Sequence, residues 1–373
     1  MAKKILFICN VLSHIKAFHL PYIDWLHQQG YEVHVMANAG GEKAPFCDRL
    51  HDIDVSRSPF NMRNISAMKK AKKIIESEKY DLIHCHTPMG GVVGRLCTYT
   101  TRKRGTQILY TAHGFHFYKD SPLVNWIFYF PVEWLLSRMT DCIITINEED
   151  YRLAKKYFKS KQTEVYKING IGVDTHKFSK CSREEKNKLK QAMGFSVDDI
   201  ILFYAAEFID RKNHQYIINR AKELKAKIPN VKILLAGRGI KLDKIKQAIK
   251  NNNIEDCVQL LGFRKDIPDL LNISDVLISP SKQEGLPINI VEGMATGVPI
   301  VASNIRGHED LVRNNVNGYL FDLHDSSFVD KVFDIVSDLD RWELFSNKSV
   351  ELSKDYSIEK VKEQMASIYL KYL

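Results

Sequence analysis

Two carboxylates, Glu284 and Glu292, flank the start of a short helix within the stretch Ser281–Ser303, SKQEGLPINIVEGMATGVPIVAS. Glu284 and Gly285 stand in a turn, and Pro287 stands where a helix would begin, which suits a residue with a fixed φ and no N–H. The pattern predicts a helix from Ile288 to Thr296, stopped by Gly297 and Pro299, and then a buried strand, Ile300–Ala302. A helix start offers unpaired N–H groups and the positive end of a dipole, a natural place for an anion such as a diphosphate. A carboxylate beside it can accept hydrogen bonds from sugar or ribose hydroxyls. Taken alone, the same two residues fit better as a solvated loop Glu and an ordinary surface-helix Glu.

Other chemistry-bearing residues also fall just after predicted strands. A loop after Ile200–Ala205 carries Glu207, Asp210, Arg211 and Lys212. Val231–Ala236 ends in Gly237-Arg238-Gly239, and Val258–Leu260 leads to Gly262-Phe263-Arg264. In the first half, Ser13, His14 and His19 follow the first strand, where a dinucleotide site would need G-x-G-x-x-G. His84 and His86 end one strand, and His113 and His116 follow another. The spacings of these last four histidines match no familiar zinc pattern, and no cysteine or carboxylate completes the set, so no metal is expected.

The elements that must position these residues alternate between strand and helix. In the first half the strands are Ile5–Cys9, Glu32–Met36, Asp81–Cys85, Gln107–Thr111, Cys142–Ile146 and Glu164–Ile168. Asn10–Lys16 reads as a loop and His19–Gln28 as a helix. Asn169–Asp174, with two glycines, reads as a hinge, after which a second series of the same kind begins. The expected domains are 1–170, 171–352, and a final helical segment, 353–373, returning to the first domain. The aromatic segment Leu123–Met139 carries Pro131, Glu133 and Arg138 and is too short to cross a membrane comfortably. A buried helix pair is the favoured reading, with an aromatic face at a lipid surface as the alternative.

Composition sets limits on all of this. With 373 residues, 45% apolar and 27% charged, the chain is an ordinary globular protein long enough for two cores. A net charge of +9 suits acidic partners: nucleotides, anionic lipid or nucleic acid. Seven cysteines without a C-x-x-C pair argue against a disulfide framework and fit a reducing cytoplasm. Basic runs such as Arg102-Lys103-Arg104 are compatible with a peripheral place on the inner face of a membrane. Interleaved aromatic and basic residues of the single-strand-binding kind are lacking, so nucleic acid is not expected.

Six motifs in order make the reading specific: YTAHG at His113, NGIGVD at Asn169–Asp174, EFIDRKNH with Lys212, LAGRG with Gly237, LGFRKDI with Gly262, and the Glu284-x7-Glu292 string. Together they resemble the retaining GT-B glycosyltransferases of family four, of the bacterial capsule, exopolysaccharide or O-antigen type, over nearly the whole chain. The resemblance implies an α/β fold of two Rossmann-like domains facing each other across a nucleotide-sugar cleft. It implies that Lys212, helped by Arg211, neutralises the departing diphosphate, with backbone N–H groups of Gly285, Leu286 and Ile288 as further donors. Glu284 would hold hydroxyls of the donor sugar, Glu292 the ribose, and the loop of Gly262, Phe263 and Arg264 the base. Gly237 would let the chain pass close to the ligand, and His113 would face the donor sugar. Ser13, His14 and His19 would lie on the acceptor or phosphate side.

The expected reaction is transfer of a hexosyl or N-acetylhexosaminyl group from a UDP-sugar to a growing glycan on a polyprenyl diphosphate, with no cofactor and no divalent metal. Its rivals are a nucleotide-sugar epimerase of the same fold and a basic, non-enzymatic polyanion-binding module. Three departures from the family pattern stand out: Ala206-Glu207 where Gly-Arg is usual, Gly293 in place of Ala, and Arg306-Gly307 in place of a Gly-Gly loop.

Overall fold

The computed structural model describes residues 2–56, 58 and 61–373. The chain forms two compact units: the first comprises residues 1–172 and 358–373, the second 173–357. Seven parallel strands build the first unit: β1 (Lys4–Val11), β2 (Glu32–Asn38), β3 (Arg49–Asp52), β4 (Leu82–His86), β5 (Gln107–Ala112), β6 (Cys142–Thr145) and β7 (Glu164–Lys167). Their spatial order is β3-β2-β1-β4-β5-β6-β7. Six parallel strands build the second: β8 (Ile200–Ala205), β9 (Val231–Ala236), β10 (Val258–Gly262), β11 (Val276–Ser279), β12 (Ile300–Ser303) and β13 (Gly318–Phe321), in the order β10-β9-β8-β11-β12-β13.

Helices cover both faces of each sheet, which is why the central strands are unbroken buried runs rather than alternating ones. The strand order reverses between β1 and β4 in the first unit and between β8 and β11 in the second. Parallel open sheets bind ligands outside the carboxyl ends of strands at such points.

The last helix, Ile358–Tyr372, packs within the first unit. Its Tyr369 is fully buried, and the hydroxyl meets His84 Nδ1 at 2.7 Å. Gln364 accepts a hydrogen bond from the Asn169 N–H at 2.9 Å.

Local expectations fail in three places. Leu12–Phe18 is a helix, where the sequence reads as a loop; Leu12 and Ile15, one turn apart, are both buried and hold it down. The strand β3 was not anticipated, because Arg-Leu-His-Asp at a half-exposed edge carries no apolar run. Leu123–Ser137 is one continuous helix with Pro131 inside it, not a buried pair. It leaves Leu123, Ile127, Phe128 and Leu135 more than half exposed, while Trp126 and Phe130 pack on Phe117. A segment apolar on every side gives no periodicity from which to read its buried face. Among the described residues, no helix is long and apolar enough to cross a membrane.

Candidate active site

In the second unit the chain leaves β8 through a single 3-10 turn, Asp210–Lys212, and enters the helix His214–Lys227 by way of Asn213 in the left-handed region. This turn is tied to the loop after β11. The Tyr204 hydroxyl lies 3.0 Å from the Lys212 carbonyl and 2.9 Å from Ser281 Oγ, and the Lys282 N–H donates to the Arg211 carbonyl at 2.7 Å. The tie brings three predicted residues together. Lys212 Nζ donates to Glu284 Oε1 at 2.5 Å, and Arg211 Nη1 reaches Glu284 Oε2 at 3.4 Å.

Glu284 is buried. Burial pushes its carboxyl up, but the Lys212 ammonium, His308 and hydrogen bonds to Lys212 and Ser281 outweigh burial and hold it below the usual range. Its backbone is fixed as well. Arg306 Nε donates to the Glu284 carbonyl at 3.1 Å, and a Cβ on Gly307 (φ +81°) would stand 2.3 Å from the Gly285 carbonyl oxygen. A second glycine is therefore not needed in this loop; Arg306 fills the first position and clamps the turn. His308 Nδ1–H donates to the Ser303 carbonyl at 2.8 Å, which leaves Nε2 to accept from Ser279 Oγ at 3.2 Å. Sequence reasoning placed no role on Tyr204, Ser281, Arg306 or His308. The RGH run was visible, but a buried Tyr at a strand end reads as core.

Glu292 contrasts with Glu284. It lies half-buried on the helix Ile288–Ala295, and burial, opposed only by Lys177, pushes its carboxyl up to about 7. Gly285, Leu286 and Ile288 are half-exposed at the start of that helix, and Pro287 precedes its first residue. The start is anchored to the end of β8, since Asn289 Nδ2 donates to the Ala205 carbonyl at 3.2 Å. On the buried face of the same helix, a Cβ on Gly293 would meet Leu277 Cδ2 at 2.5 Å, a reason for glycine where alanine is usual.

Of the remaining predicted donor residues, Gly237, Phe263 and Arg264 line a cavity of about 700 Å³ together with Glu207 and Arg238. Phe263 is exposed, with the Arg238 guanidinium 4.4 Å from its ring centroid. Arg264 is committed to Asp266, its Nε donating to Oδ1 at 2.8 Å. Gly262 (φ +65°) accepts the Gly237 N–H at 2.7 Å. A Cβ on Gly237 (φ +147°) would stand 2.0 Å from the Ala206 carbonyl oxygen, so the close approach present here is between two loops of the protein.

In the first unit the carboxyl ends of β1, β4 and β5 carry histidines. His14 and His113 meet at 3.3 Å between their Nε2 atoms, while Ser13 is exposed. His19 and His86 are buried beside them, ring centroids 3.9 Å apart. Burial draws His14 down to about 4; burial, with His14 and His84 adding, draws His113 well below the usual imidazole value. Of the other histidines noted in the sequence, His84 bonds Tyr369 and Thr111, and His116 stacks on Tyr129.

Thr87, between His86 and the helix Pro88–Cys97, holds φ +62°, a region that costs on the order of 1–3 kcal/mol for a side-chain-bearing residue. Asn10 at the end of β1 holds it there, accepting from the Thr87 hydroxyl and from the Gly90 N–H at 3.0 Å. Alongside lies an apolar cavity of about 770 Å³, walled by Val11, His14, Met89, Val92, Phe115, Phe117, Val124, Phe128, Tyr129 and Val132. Its one carboxylate, Glu133, is held by the buried Arg95 at 2.8 and 3.1 Å.

Comparison with known proteins agrees with this architecture. Residues 4–147 match the family "Glycosyl transferase 4-like", and residues 185–349 match "Glycosyl transferases group 1". The EpsD protein of Bacillus subtilis (strain 168) is 41% identical over 374 residues, covering 100% of this chain and 98% of that protein. An Escherichia coli UDP-Gal:alpha-D-GlcNAc-diphosphoundecaprenol alpha-1,3-galactosyltransferase is 29% identical over 94% of this chain and 95% of its own length. Among solved structures, Anabaena HepE in complex with UDP and glucose superposes with a TM-score of 0.76 at 22% identity, covering 99% of this chain and 100% of that one. The two seven- and six-stranded sheets are those of the GT-B fold, and the chain belongs to the group 1, family-four glycosyltransferases.

Proposed function

We propose that this glycosyltransferase moves a hexosyl or N-acetylhexosaminyl group from a UDP-sugar to a glycan carried on a polyprenyl diphosphate, with retention of configuration. The observation that carries this reading is the buried Glu284 held between Lys212 and Arg211 at the carboxyl ends of β8 and β11. Two cations beside a helix start make a site for a diphosphate that gains charge as it leaves. Without donor, Glu284 neutralises Lys212. With donor, the diphosphate takes over the cations and frees Glu284 to hold hydroxyls of the sugar.

Glu292 would hold the ribose, the Gly262–Arg264 loop the base, and His113 the transferred sugar. The anomeric C–O bond to the diphosphate breaks, the acceptor oxygen bonds from the same face, and the acceptor proton passes to the departing phosphate oxygen. In this scheme Lys212 and Arg211 do the work that a divalent metal does elsewhere. The α-linkage in the name of the Escherichia coli relative supports retention, because UDP-galactose is itself α-linked. Its diphosphoundecaprenol acceptor supports a lipid carrier, as do the apolar cavity of the first unit and the exposed apolar face of Leu123–Ser137. These features suit work at the inner membrane surface, in the assembly of a surface polysaccharide.

The test is UDP release from a panel of nucleotide sugars in EDTA, with and without a polyprenyl-diphosphate-linked glycan. Release that needs one donor and the acceptor, and that is lost in Glu284→Ala, is the expected result. Conversion of a donor without acceptor or UDP release would replace the reading by an epimerase. Binding of polyanions with steep salt dependence and no donor preference would replace it by a binding module.

A further inference from the structure

His14, His19, His86 and His113 come from separate parts of the sequence and converge at the point where the strand order reverses. His14 and His19 follow β1, His86 ends β4, and His113 follows β5. One ring nitrogen from each lies within 4.8 Å of those of the other three. Nε2 of His14 and Nε2 of His113 are 3.3 Å apart, about the edge of a tetrahedron whose metal–nitrogen bonds are about 2.0–2.1 Å. Among the described residues, neither ring nitrogen of His19 or of His86 has a hydrogen-bond partner, although both side chains are buried. Four unpartnered polar atoms in one buried cluster are costly to leave empty-handed. Neighbouring His84 shows the alternative: both of its nitrogens are satisfied, by Tyr369 and Thr111.

We propose that these four imidazoles form a binding site for a borderline divalent transition cation, Zn2+ being the representative. An all-imidazole set suits zinc, copper or nickel and does not suit magnesium or calcium, which take oxygen ligands. Coordination gives His19 and His86 one partner each and turns the 3.3 Å approach of His14 and His113 into a shared metal contact. His14 also lines the 770 Å³ cavity, which gives the ion a way in. No carboxylate or cysteine belongs to the cluster, so none of its ligands offsets the charge of the ion. A cation here is remote in kind from one that would hold a diphosphate. Because it occupies His113, it inhibits transfer; that consequence alone rests on the function proposed above.

The test uses the full chain stripped with EDTA. Titration with Co2+ should give the intense visible bands of a four-coordinate ion, saturating at one per chain, and Zn2+ should displace it. His14→Gln, at a half-exposed position, should weaken Zn2+ at least about tenfold in competition with a chromophoric chelator while the melting temperature stays unchanged. His324→Ala, at an exposed position in the other unit, should bind like the parent. Pale six-coordinate cobalt in the parent, or equal Zn2+ affinity in His14→Gln and the parent, would overturn the site. Binding as described, without inhibition of UDP release, would leave the metal site standing and remove His113 from the transfer step.

Discussion

The same stretch of architecture carries opposite chemistry in the two units. At the carboxyl ends of β8 and β11 the second unit gathers charge: Lys212, Arg211 and Glu284 in one network, with Arg306 clamped on the Glu284 backbone. At the carboxyl ends of β1 and β4 the first unit gathers neutral imidazoles and an apolar cavity, whose lining carboxylate, Glu133, is paired with Arg95. The fold decides where a ligand goes, and the residues decide what kind. On the function proposed above, the cations around the buried Glu284 exchange that carboxylate for the donor diphosphate. On the same reading, the apolar cavity beside an exposed apolar helix takes the hydrocarbon of the acceptor.

The hardest blow to that contrast is removal of its central cation. Lys212→Ala should lower transfer by about 10²–10³-fold, read as kcat/KM for UDP release, because charge stabilisation at the leaving group is lost. Glu284→Gln separates binding from turnover. With Lys212 no longer neutralised, UDP should bind as tightly as before or tighter, while kcat falls by about a hundredfold. A parallel loss of UDP affinity would mean that Glu284 holds the loop rather than the sugar.

How much of this was legible in the sequence differs between the units. Glu284 stands just before Gly285 and Pro287, punctuation that dictates its turn, whereas Arg211 and Lys212 have no such neighbours. The common site of the three is implied by the family resemblance, through the order of the motifs. The pairing of Lys212 with Glu284 is not, since it depends on Tyr204 and Lys282 tying two loops that are about seventy residues apart. In the first unit, the histidines were visible and their grouping was not. The sequence pointed to His84, His86, His113 and His116; the structure gathers His14, His19, His86 and His113. What decides this is that Leu12–Phe18 is a helix, which swings His14 and His19 over the sheet edge, and no local signal distinguished it from a loop.

Smaller effects sharpen the contrast. Phe128→Glu places a charge on the cavity wall and should lower transfer to a polyprenyl-linked acceptor by about tenfold, leaving UDP binding unchanged. Glu292 supplies a pH signature. With its carboxyl at about 7, the ionised fraction falls roughly tenfold between pH 8 and pH 6. If the carboxylate holds the ribose, UDP affinity should fall with it as pH drops, and Glu292→Gln should flatten the profile. Least of all, Gly293→Ala should cost about 1–3 kcal/mol of stability as Leu277 is pushed aside, seen as a lower melting temperature with activity retained at 25 °C.

The division between the units is tested most directly by calorimetric titration of UDP into the parent protein, Lys212→Ala and Phe128→Glu under one set of conditions. The affinity should be lower by about tenfold or more in Lys212→Ala and unchanged in Phe128→Glu. Loss of UDP binding in Phe128→Glu, with Lys212→Ala binding like the parent, would contradict that division and move the nucleotide to the first unit.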